Sequence, residues 1–337
     1  MHKSADQGVH LALVFPRRAP HYRSLVDLRE LLLESEVRFI VGKGGVGKTT
    51  IAAAFALAGA ASGLHVQIIE LDGRDELLRC FDAQGSLNFE PRTLYTHESG
   101  GTVSARHLGA DEALLEWLRD HGFSRLLKRL RSSGALEVIA TAIPGIRDVL
   151  ILGKIKALAR DGVGDVIIVD APATGHSLSL LAAPAAMSSA ARSGPIRRQA
   201  EEVAEMLHDE KRCCVSLVTL AGELPVSEAI EAAFELEDRA GVVLSVLVVN
   251  QFVGHNAALR DDLSEQESEQ LSAELAISIN AARNFTLLRG DEEESQRRRL
   301  SEQLPLDQFV VSHVDVDTIN LDALTAIASQ LLEGVAA

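Results

Sequence analysis

Short apolar runs separated by helix-like stretches dominate the chain from residue 37 onward. The runs are rich in valine and isoleucine and do not alternate with polar residues, which is typical of strands buried on both faces. They predict strands at residues 37–41, 65–72, 165–170, 214–220, 242–250 and 308–312. Intervening segments at residues 50–62, 226–241 and 322–332 predict helices. This alternation predicts an α/β fold with a doubly wound, mainly parallel sheet that binds ligands at the carboxyl ends of its strands.

Two longer stretches lack strand-like runs, and both read as helical. The first covers about residues 91–164 and is clearest at 111–130 and 146–159. The second covers residues 182–208, is rich in alanine and is interrupted at Gly194-Pro195. Together these stretches predict a helical subdomain inserted into the sheet domain.

The domain boundaries follow from the same pattern. We expect an N-terminal extension over residues 1–36, ending in a short helix that starts near Ser24, followed by a single domain over residues 37–337. The helical subdomain is expected at about 92–163 and 186–210. Residues 261–303 also predict a helix, with a break near 285–290.

Composition narrows the class of protein. A chain of 337 residues with 47% hydrophobic and 24% charged residues is typical of a soluble globular protein. Its formal net charge of −15 argues against nucleic acid as a partner, because phosphate backbones attract clustered Lys and Arg. The three cysteines, Cys80, Cys213 and Cys214, form neither a disulfide framework nor a C-x-x-C metal site. We therefore expect a cytoplasmic protein without a signal peptide, and we leave peripheral attachment to the inner membrane open.

One glycine-rich segment carries the clearest chemistry. It follows the first predicted strand, precedes a predicted helix, and reads Gly42-Lys43-Gly44-Gly45-Val46-Gly47-Lys48-Thr49-Thr50. This spacing is that of a phosphate-binding loop, in which glycines let backbone N–H groups turn toward phosphates. Lys48 is expected to contact the β- and γ-phosphates of a nucleotide, and Thr49 to bind Mg²⁺. The nucleotide-binding set is therefore predicted to be Gly44, Gly45, Val46, Gly47, Lys48, Thr49 and Thr50.

Two carboxylates follow neighbouring predicted strands at the same edge as this loop. Asp72 ends the second run, and Asp170 ends the third. An aspartate after an apolar strand is the residue that holds Mg²⁺ through water in many phosphate-loop enzymes. Asp170 is therefore the predicted second metal residue beside Thr49.

These motifs resemble those of one group of ATPases. Lys43, the extra lysine at the start of the loop, is similar to that of the deviant phosphate loop in ArsA, nitrogenase iron proteins and partitioning proteins. The segment Val169-Asp170-Ala171-Pro172-Ala173-Thr174-Gly175-His176 resembles the second switch of the ArsA and guided-entry, tail-anchored-protein targeting, ATPases. The resemblance covers residues 37–250 most clearly.

The resemblance implies a role for each matching residue. Lys43 would reach across a homodimer, or a heterodimer with a paralogue, to the partner's nucleotide, and Asp72 would orient the attacking water. Asn250 would hydrogen-bond adenine. The switch residues would be Asp72, Asp170, Pro172, Gly175 and His176. The expected cofactors are ATP and Mg²⁺, and the expected partner is an unidentified protein client or membrane protein.

The chain also departs from this group of ATPases. Adjacent Cys213 and Cys214 should face opposite sides of a strand, which makes a three-sulfur arsenite site awkward with Cys80. Asp72-Gly73-Arg74-Asp75 stands where Asp-Pro-Ala-His is commoner. Two alternatives therefore stay open, an ATPase subunit that drives an arsenite or anion pump and a nucleotide-gated scaffold of the partitioning or septum-site type.

Overall fold

A computed structural model describes residues 27–73, 76–122, 145–254, 259 and 271–334 of the chain. Its strands are β1 (Val37–Gly42), β2 (His65–Glu70), β3 (Arg92–Thr96), β4 (Thr102–His107), β5 (Val166–Asp170), β6 (Cys213–Leu220), β7 (Leu244–Phe252) and β8 (Asp307–Ser312). Its helices are α1 (Leu28–Leu33), α2 (Lys48–Ala61), α3 (Glu76–Cys80), α4 (Ala110–Asp120), α5 (Ile146–Arg160), α6 (Thr174–Ala190), α7 (Pro195–His208), α8 (Glu223–Glu235), α9 (Ala273–Gln303) and α10 (Leu321–Glu333).

The strands form one sheet in the order β3-β4-β2-β5-β1-β6-β7-β8. Every neighbouring pair is parallel except β3 and β4, which are antiparallel. All residues of β1 and β5 are buried, as expected of central strands with helices on both faces. The predicted doubly wound, mainly parallel α/β sheet is therefore confirmed.

Two apolar clusters lie on opposite faces of this sheet. Neighbouring residues of β1 alternate between them, because successive side chains of a strand point to opposite sides. Ile40 belongs to the cluster that includes Phe55 of α2 and Phe309 of β8. Phe39 and Val41 belong to the cluster beneath helices α5 to α8. The core therefore consists of two apolar layers, one on each face of the sheet.

A third, smaller cluster joins the helices outside the sheet. Ala113 and Leu114 of α4 pack with Val149 of α5, Met187 of α6 and Ala200 of α7. Residues 123–144 lie outside the described residues, and the predicted helix at 111–130 is described only up to its end at Asp120. The described helices of the predicted subdomain therefore pack on one another as well as on the sheet.

The prediction that residues 91–107 are helical is wrong. Residues 92–96 and 102–107 form β3 and β4, and β4 pairs in parallel with β2. Only Val103 and Ala105, with neighbouring Arg106, are buried in β4, so its apolar alternation is short and interrupted by polar residues. Partner strands far away in sequence, rather than local periodicity, decide this segment.

Two helix predictions also need correction. The predicted break near residues 285–290 is wrong, since α9 runs unbroken from Ala273 to Gln303. Gly290 is buried inside this helix, where an isolated glycine is tolerated. The first helix begins at Leu28, where Asp27 Oδ1 accepts a hydrogen bond from Arg29 N at 2.8 Å. Ser24, the predicted start, lies outside the described residues.

The remaining predicted strands are present, with ends shifted by one or two residues. The helical stretch predicted at 182–208 begins earlier, at Thr174, and the start of the helix predicted at 261–303 lies outside the described residues. One predicted helix, at 226–241, is α8 continued by a π-helical turn over Leu236–Ala240. Within the described residues, every helix is too short or too polar to traverse a lipid bilayer.

The packing of β8 provides a test of this fold. Phe309 is 2% exposed and meets Phe55 edge to face, with ring centroids 6.2 Å apart. Phe309→Ala should lower the free energy of unfolding by about 3–5 kcal/mol because it leaves a cavity in the core. Phe285→Ala is the matched control, since Phe285 is 69% exposed, and should change it by less than about 0.5 kcal/mol. Urea unfolding followed by circular dichroism measures both, and equal effects would contradict the position of β8.

Candidate functional site

The register of the central strands brings three loops to one edge of the sheet. Asp170 at the end of β5 pairs with Ile40 of β1 and with Glu70 of β2. The segments that follow these three strands are residues 43–47, 71–73 and 171–173. They lie side by side at the carboxyl edge, where open α/β sheets bind ligands.

The glycines of the loop have conformational and packing reasons to be glycine. Gly45 and Gly47 have φ angles of 85° and 88°, in the left-handed region that L side chains rarely adopt. A Cβ atom on Gly42 would lie 2.3 Å from Val218 O, and one on Gly47 would lie 2.3 Å from Asn250 Nδ2. Helix α2 begins directly after the loop, so its unpaired N–H groups and dipole favour an anion there.

Both lysines of the loop make contacts within the chain. Lys48 Nζ donates to Lys43 O at 3.2 Å. Lys43 Nζ donates to Glu228 Oε1 of α8 at 2.7 Å, and its side chain is 56% exposed. Two cations therefore lie beside the N–H groups of the loop, which suits a polyanionic ligand.

The predicted metal residues touch each other. Thr49 Oγ1 donates to Asp170 Oδ2 at 2.7 Å. Asp170 is 7% exposed, and its Oδ1 is buried without a hydrogen-bond partner among the described residues. A hydroxyl and a buried carboxylate with an unused oxygen are hard oxygen donors, which fit Mg²⁺. Thr49 and Asp170 are therefore the residues that would hold this ion.

The ionised form of the Asp170 carboxylate is disfavoured by its surroundings. Burial raises its pKa to about 6, and the charges of Asp72 and Glu76 add to the increase, while the Thr49 hydrogen bond and the Lys48 charge oppose it. A divalent cation would remove this penalty by supplying the missing positive charge.

Asp72 lies where the sequence places it, exposed in the segment after β2 and close enough to influence the charge of Asp170. Gly73 beside it has a φ of 63°. Arg74 and Asp75, which complete the departure from the usual motif, lie outside the described residues. The role of Asp72 in orienting water stays a prediction.

The switch segment leads from β5 into α6. Ser177 Oγ donates to Pro172 O at 2.6 Å, which closes the turn before the helix. Gly175 and His176 are exposed on the first turn of α6. Burial raises the pKa of Asp148 in α5, and the charge of His176 lowers it, so these two side chains interact. His176 thus connects the edge of the site to the outer helices.

Asn250 has a contact that the sequence did not suggest. Its side chain is 5% exposed, and Nδ2 donates to Val46 O at 2.8 Å, so it supports the phosphate-binding loop from β7. The prediction that it binds adenine stays a prediction.

Sequence reasoning missed two glutamates near the site. Glu228 of α8 accepts from Lys43, as described above. Glu293 of α9 is buried and accepts from Val253 N at 2.6 Å and Gly254 N at 3.1 Å, directly after β7. Both contacts join residues far apart in sequence, so no local pattern indicates them.

The cysteines lie apart. Cys80 belongs to the apolar cluster around α2, and burial raises its pKa to about 11, with smaller contributions from Asp170 and Glu76. Cys213 and Cys214 begin β6 and pair with Val37 and Arg38, at the opposite edge of the sheet from the loop. The described thiols therefore do not converge on one site.

Comparison with known proteins identifies similar ATPases. A family model described as anion-transporting ATPase matches residues 35–193. ATPase BagA of Mycobacterium tuberculosis and a putative ATPase of Mycobacterium bovis are each 37% identical over 226 residues, 65% of this chain and 66% of the relative. An arsenical pump-driving ATPase of Escherichia coli is 30% identical over 232 residues, 67% of this chain and 37% of that protein.

The raised pKa of Asp170 predicts an unusual pH dependence. Its ordinary value is 3.8 and its folded value is about 6, so between these values the folded state binds the proton more tightly than the unfolded state. Stability contributed by the protonated form is therefore lost as pH rises through this window. Relative to Asp170→Asn, the wild type should lose about 2 kcal/mol of unfolding free energy between pH 4 and pH 6.

Urea unfolding across this pH range, without added Mg²⁺, measures the difference. Asp120→Asn, an exposed carboxylate of α4, is the control and should run parallel to the wild type. Parallel curves for Asp170→Asn and the wild type would contradict the raised pKa.

Proposed function

This chain belongs to the ArsA ATPase family, and from that premise we propose that it binds ATP with Mg²⁺ at the loop of residues 42–50 and hydrolyses it. The observation that carries the proposal is the contact of Thr49 with buried Asp170 directly beside a glycine-shaped anion site. The match covers 66% of the mycobacterial relatives, whose names say only that they are ATPases.

The residues of the site have distinct parts in this reaction. Water attacks the γ-phosphorus, the bond to the bridging oxygen breaks, and ADP and phosphate leave. Lys48 neutralises charge on the β- and γ-phosphates, and Asp72 orients the water. Mg²⁺, held by Thr49 and Asp170, would supply further neutralisation of the phosphate oxygens. Asn250 keeps the loop in shape through Val46 O.

We further propose that two copies of the chain, or the chain and a paralogue, sandwich two ATP molecules. The exposed position of Lys43 at the open edge supports this arrangement, because its ammonium group can leave Glu228 and reach a neighbouring molecule. The interaction of His176 with Asp148 supports coupling between the nucleotide and the outer helices. ATP stabilises whichever conformation of the dimer binds it more tightly, and hydrolysis removes this preference. The resulting change of conformation would move a protein client or membrane partner.

A subunit that drives an arsenite pump is the alternative, since the Escherichia coli relative is named as an arsenical pump-driving ATPase. The separation of Cys80 from Cys213 and Cys214 weighs against a thiol site for the metalloid. A nucleotide-gated scaffold would use the same ATP site and differ only in output. We therefore favour an ATPase that acts on a protein client or membrane partner.

Lys48→Ala and Asp72→Asn should separate binding from hydrolysis. Lys48→Ala removes a charge from the phosphates and should weaken ATP binding at least about tenfold. Asp72→Asn keeps the shape of the site, so binding should stay within about twofold while turnover falls about 100-fold. Calorimetric titration with Mg-ATP and a phosphate-release assay measure these effects. Lys211→Ala, at the opposite edge before β6, is the control, and equal loss of binding in both site variants would contradict the assigned roles.

Lys43→Ala tests the role of the second chain. Turnover per wild-type chain should rise with protein concentration as dimers form, and the variant should lose this rise because no trans lysine reaches the nucleotide. ATP affinity at low protein concentration should stay within about twofold, because Lys48 remains. Turnover assays over a range of protein concentrations measure this, and a normal rise in the variant would remove Lys43 from the mechanism.

A further inference from the structure

The ion pair between Lys43 and Glu228 has no part in the reaction as described so far. Lys43 is the lysine that acts in trans in the proposed dimer, yet its Nζ lies 2.7 Å from Glu228 Oε1 of its own chain. The Glu228 side chain is 27% exposed, so it is half-buried against the loop. The two states of Lys43 exclude each other, because one ammonium group cannot contact Glu228 and a phosphate on another chain together.

Glu228 is held in place by its helix. Thr219 Oγ1 donates to Pro225 O at 3.0 Å, which ties the start of α8 to the end of β6. Ser227 Oγ accepts from Arg299 Nη2 of α9 at 3.1 Å, directly beside Glu228 in sequence. The carboxylate is therefore presented to Lys43 by a fixed backbone, whereas the lysine has a long and flexible side chain.

The pair also borders the switch. A small cavity of about 10 Å³, room for roughly one water molecule, is lined by Gly42, Lys43, Thr174, Thr219 and Glu228 among others. Thr174 is the first residue of α6. Departure of Lys43 from Glu228 therefore changes the contacts of the loop and of the switch helix at one point.

We propose that Glu228 is a positioning residue that retains Lys43 within its own chain and sets the threshold for its engagement with the nucleotide of a second chain. This inference rests on the proposed function, and it adds a regulatory element to the same site. Glu228 offers Lys43 one negative charge, whereas a bound nucleoside triphosphate offers several. A triphosphate therefore displaces Glu228 more effectively than a diphosphate, which makes dimer closure selective for ATP.

The size of the effect follows from the exposure of the pair. Ion pairs at the surface contribute up to about 1 kcal/mol, which corresponds to about fivefold in an equilibrium constant. Retention of this strength delays closure without preventing it. Glu228→Gln keeps the shape of the side chain and removes the charge. Because both chains of a homodimer must release Lys43, it should shift the dimerisation constant by about the square of this factor, about 25-fold.

The test compares dimer formation by the full chain in Mg²⁺ and a non-hydrolysable ATP analogue, using sedimentation velocity over a range of protein concentrations. Glu228→Gln should lower the midpoint concentration for dimerisation about 25-fold, and Glu228→Asp, which keeps the charge, should restore most of the wild-type value. Turnover at saturating protein should stay within about twofold, because Lys43 has already left Glu228 in the dimer. The difference should shrink at high salt, since exposed charges are screened.

Two variants show whether the effect passes through Lys43. Glu231→Gln removes an exposed carboxylate one turn further along α8 and should leave the midpoint unchanged within about twofold. In a Lys43→Ala background, Glu228→Gln should have no further effect, because the pair is already absent. A shift that equals that of Glu231→Gln, or one that persists without Lys43, would overturn the proposal.

The remaining outcomes separate this inference from the proposed function. A tenfold loss of turnover in saturated Glu228→Gln dimers would place Glu228 in the catalytic machinery and overturn the retaining role. A wild-type chain that binds the analogue but stays monomeric would overturn the trans roles of Lys43 and Glu228 and leave ATP binding intact. A wild-type chain that binds no analogue would overturn both this inference and the proposed function.

Discussion

The parallel register of β2, β5 and β1 is the constraint on which the candidate site depends. Asp170 pairs with Glu70 on one side and with Ile40 on the other, so three strands end at one level of the sheet. The phosphate-binding loop, the Asp72 segment and the switch segment consequently begin within reach of one another. A shift of one residue in β5 would turn Asp170 to the opposite face, away from Thr49. Ile168 and Val169 pack into apolar clusters on opposite faces, so the shift would also force each closely packed cluster to accommodate a side chain of a different shape.

This constraint has an energetic cost, because it buries the carboxylate of Asp170 away from water. Burial and two neighbouring carboxylates raise the pKa of Asp170, which means that the ionised carboxylate is less stable in the folded chain than in water. A divalent cation bound beside the phosphates of a nucleotide would offset this cost. Lys43 and Lys48 lie in and directly after the loop that precedes α2, so their positive charges add to the field at the start of this helix. The site is therefore arranged to favour ligands that combine a polyanion with a divalent cation.

The connections from the site lead outward along helices α6 and α8. Helix α6 begins at the switch segment and packs against α5 and α7, and His176 interacts with Asp148 of α5. Helix α8 carries Glu228 to Lys43 and is joined to α9 through Ser227 and Arg299. The loop therefore borders two separate groups of helices, one through the contact of Lys43 with Glu228 and the other through the switch segment that leads into α6. Rearrangement of such packed helices is the usual means by which a local change in charge becomes a larger motion.

The amino-acid sequence by itself determined the sheet class, most helices and the chemistry of the loop. Short runs of valine and isoleucine favour buried strands, and the spacing from Gly42 to Thr50 leaves few other interpretations, since these signals depend on residues that are neighbours in the chain. The tertiary structure alone decided that residues 92–107 form strands, because β4 is stabilised by its pairing with β2. It also decided the contacts of Asn250 with Val46 and of Glu228 with Lys43, and the separation of Cys80 from Cys213. These features join residues distant in sequence, and local patterns carry no record of which distant side chains the packed sheet brings together.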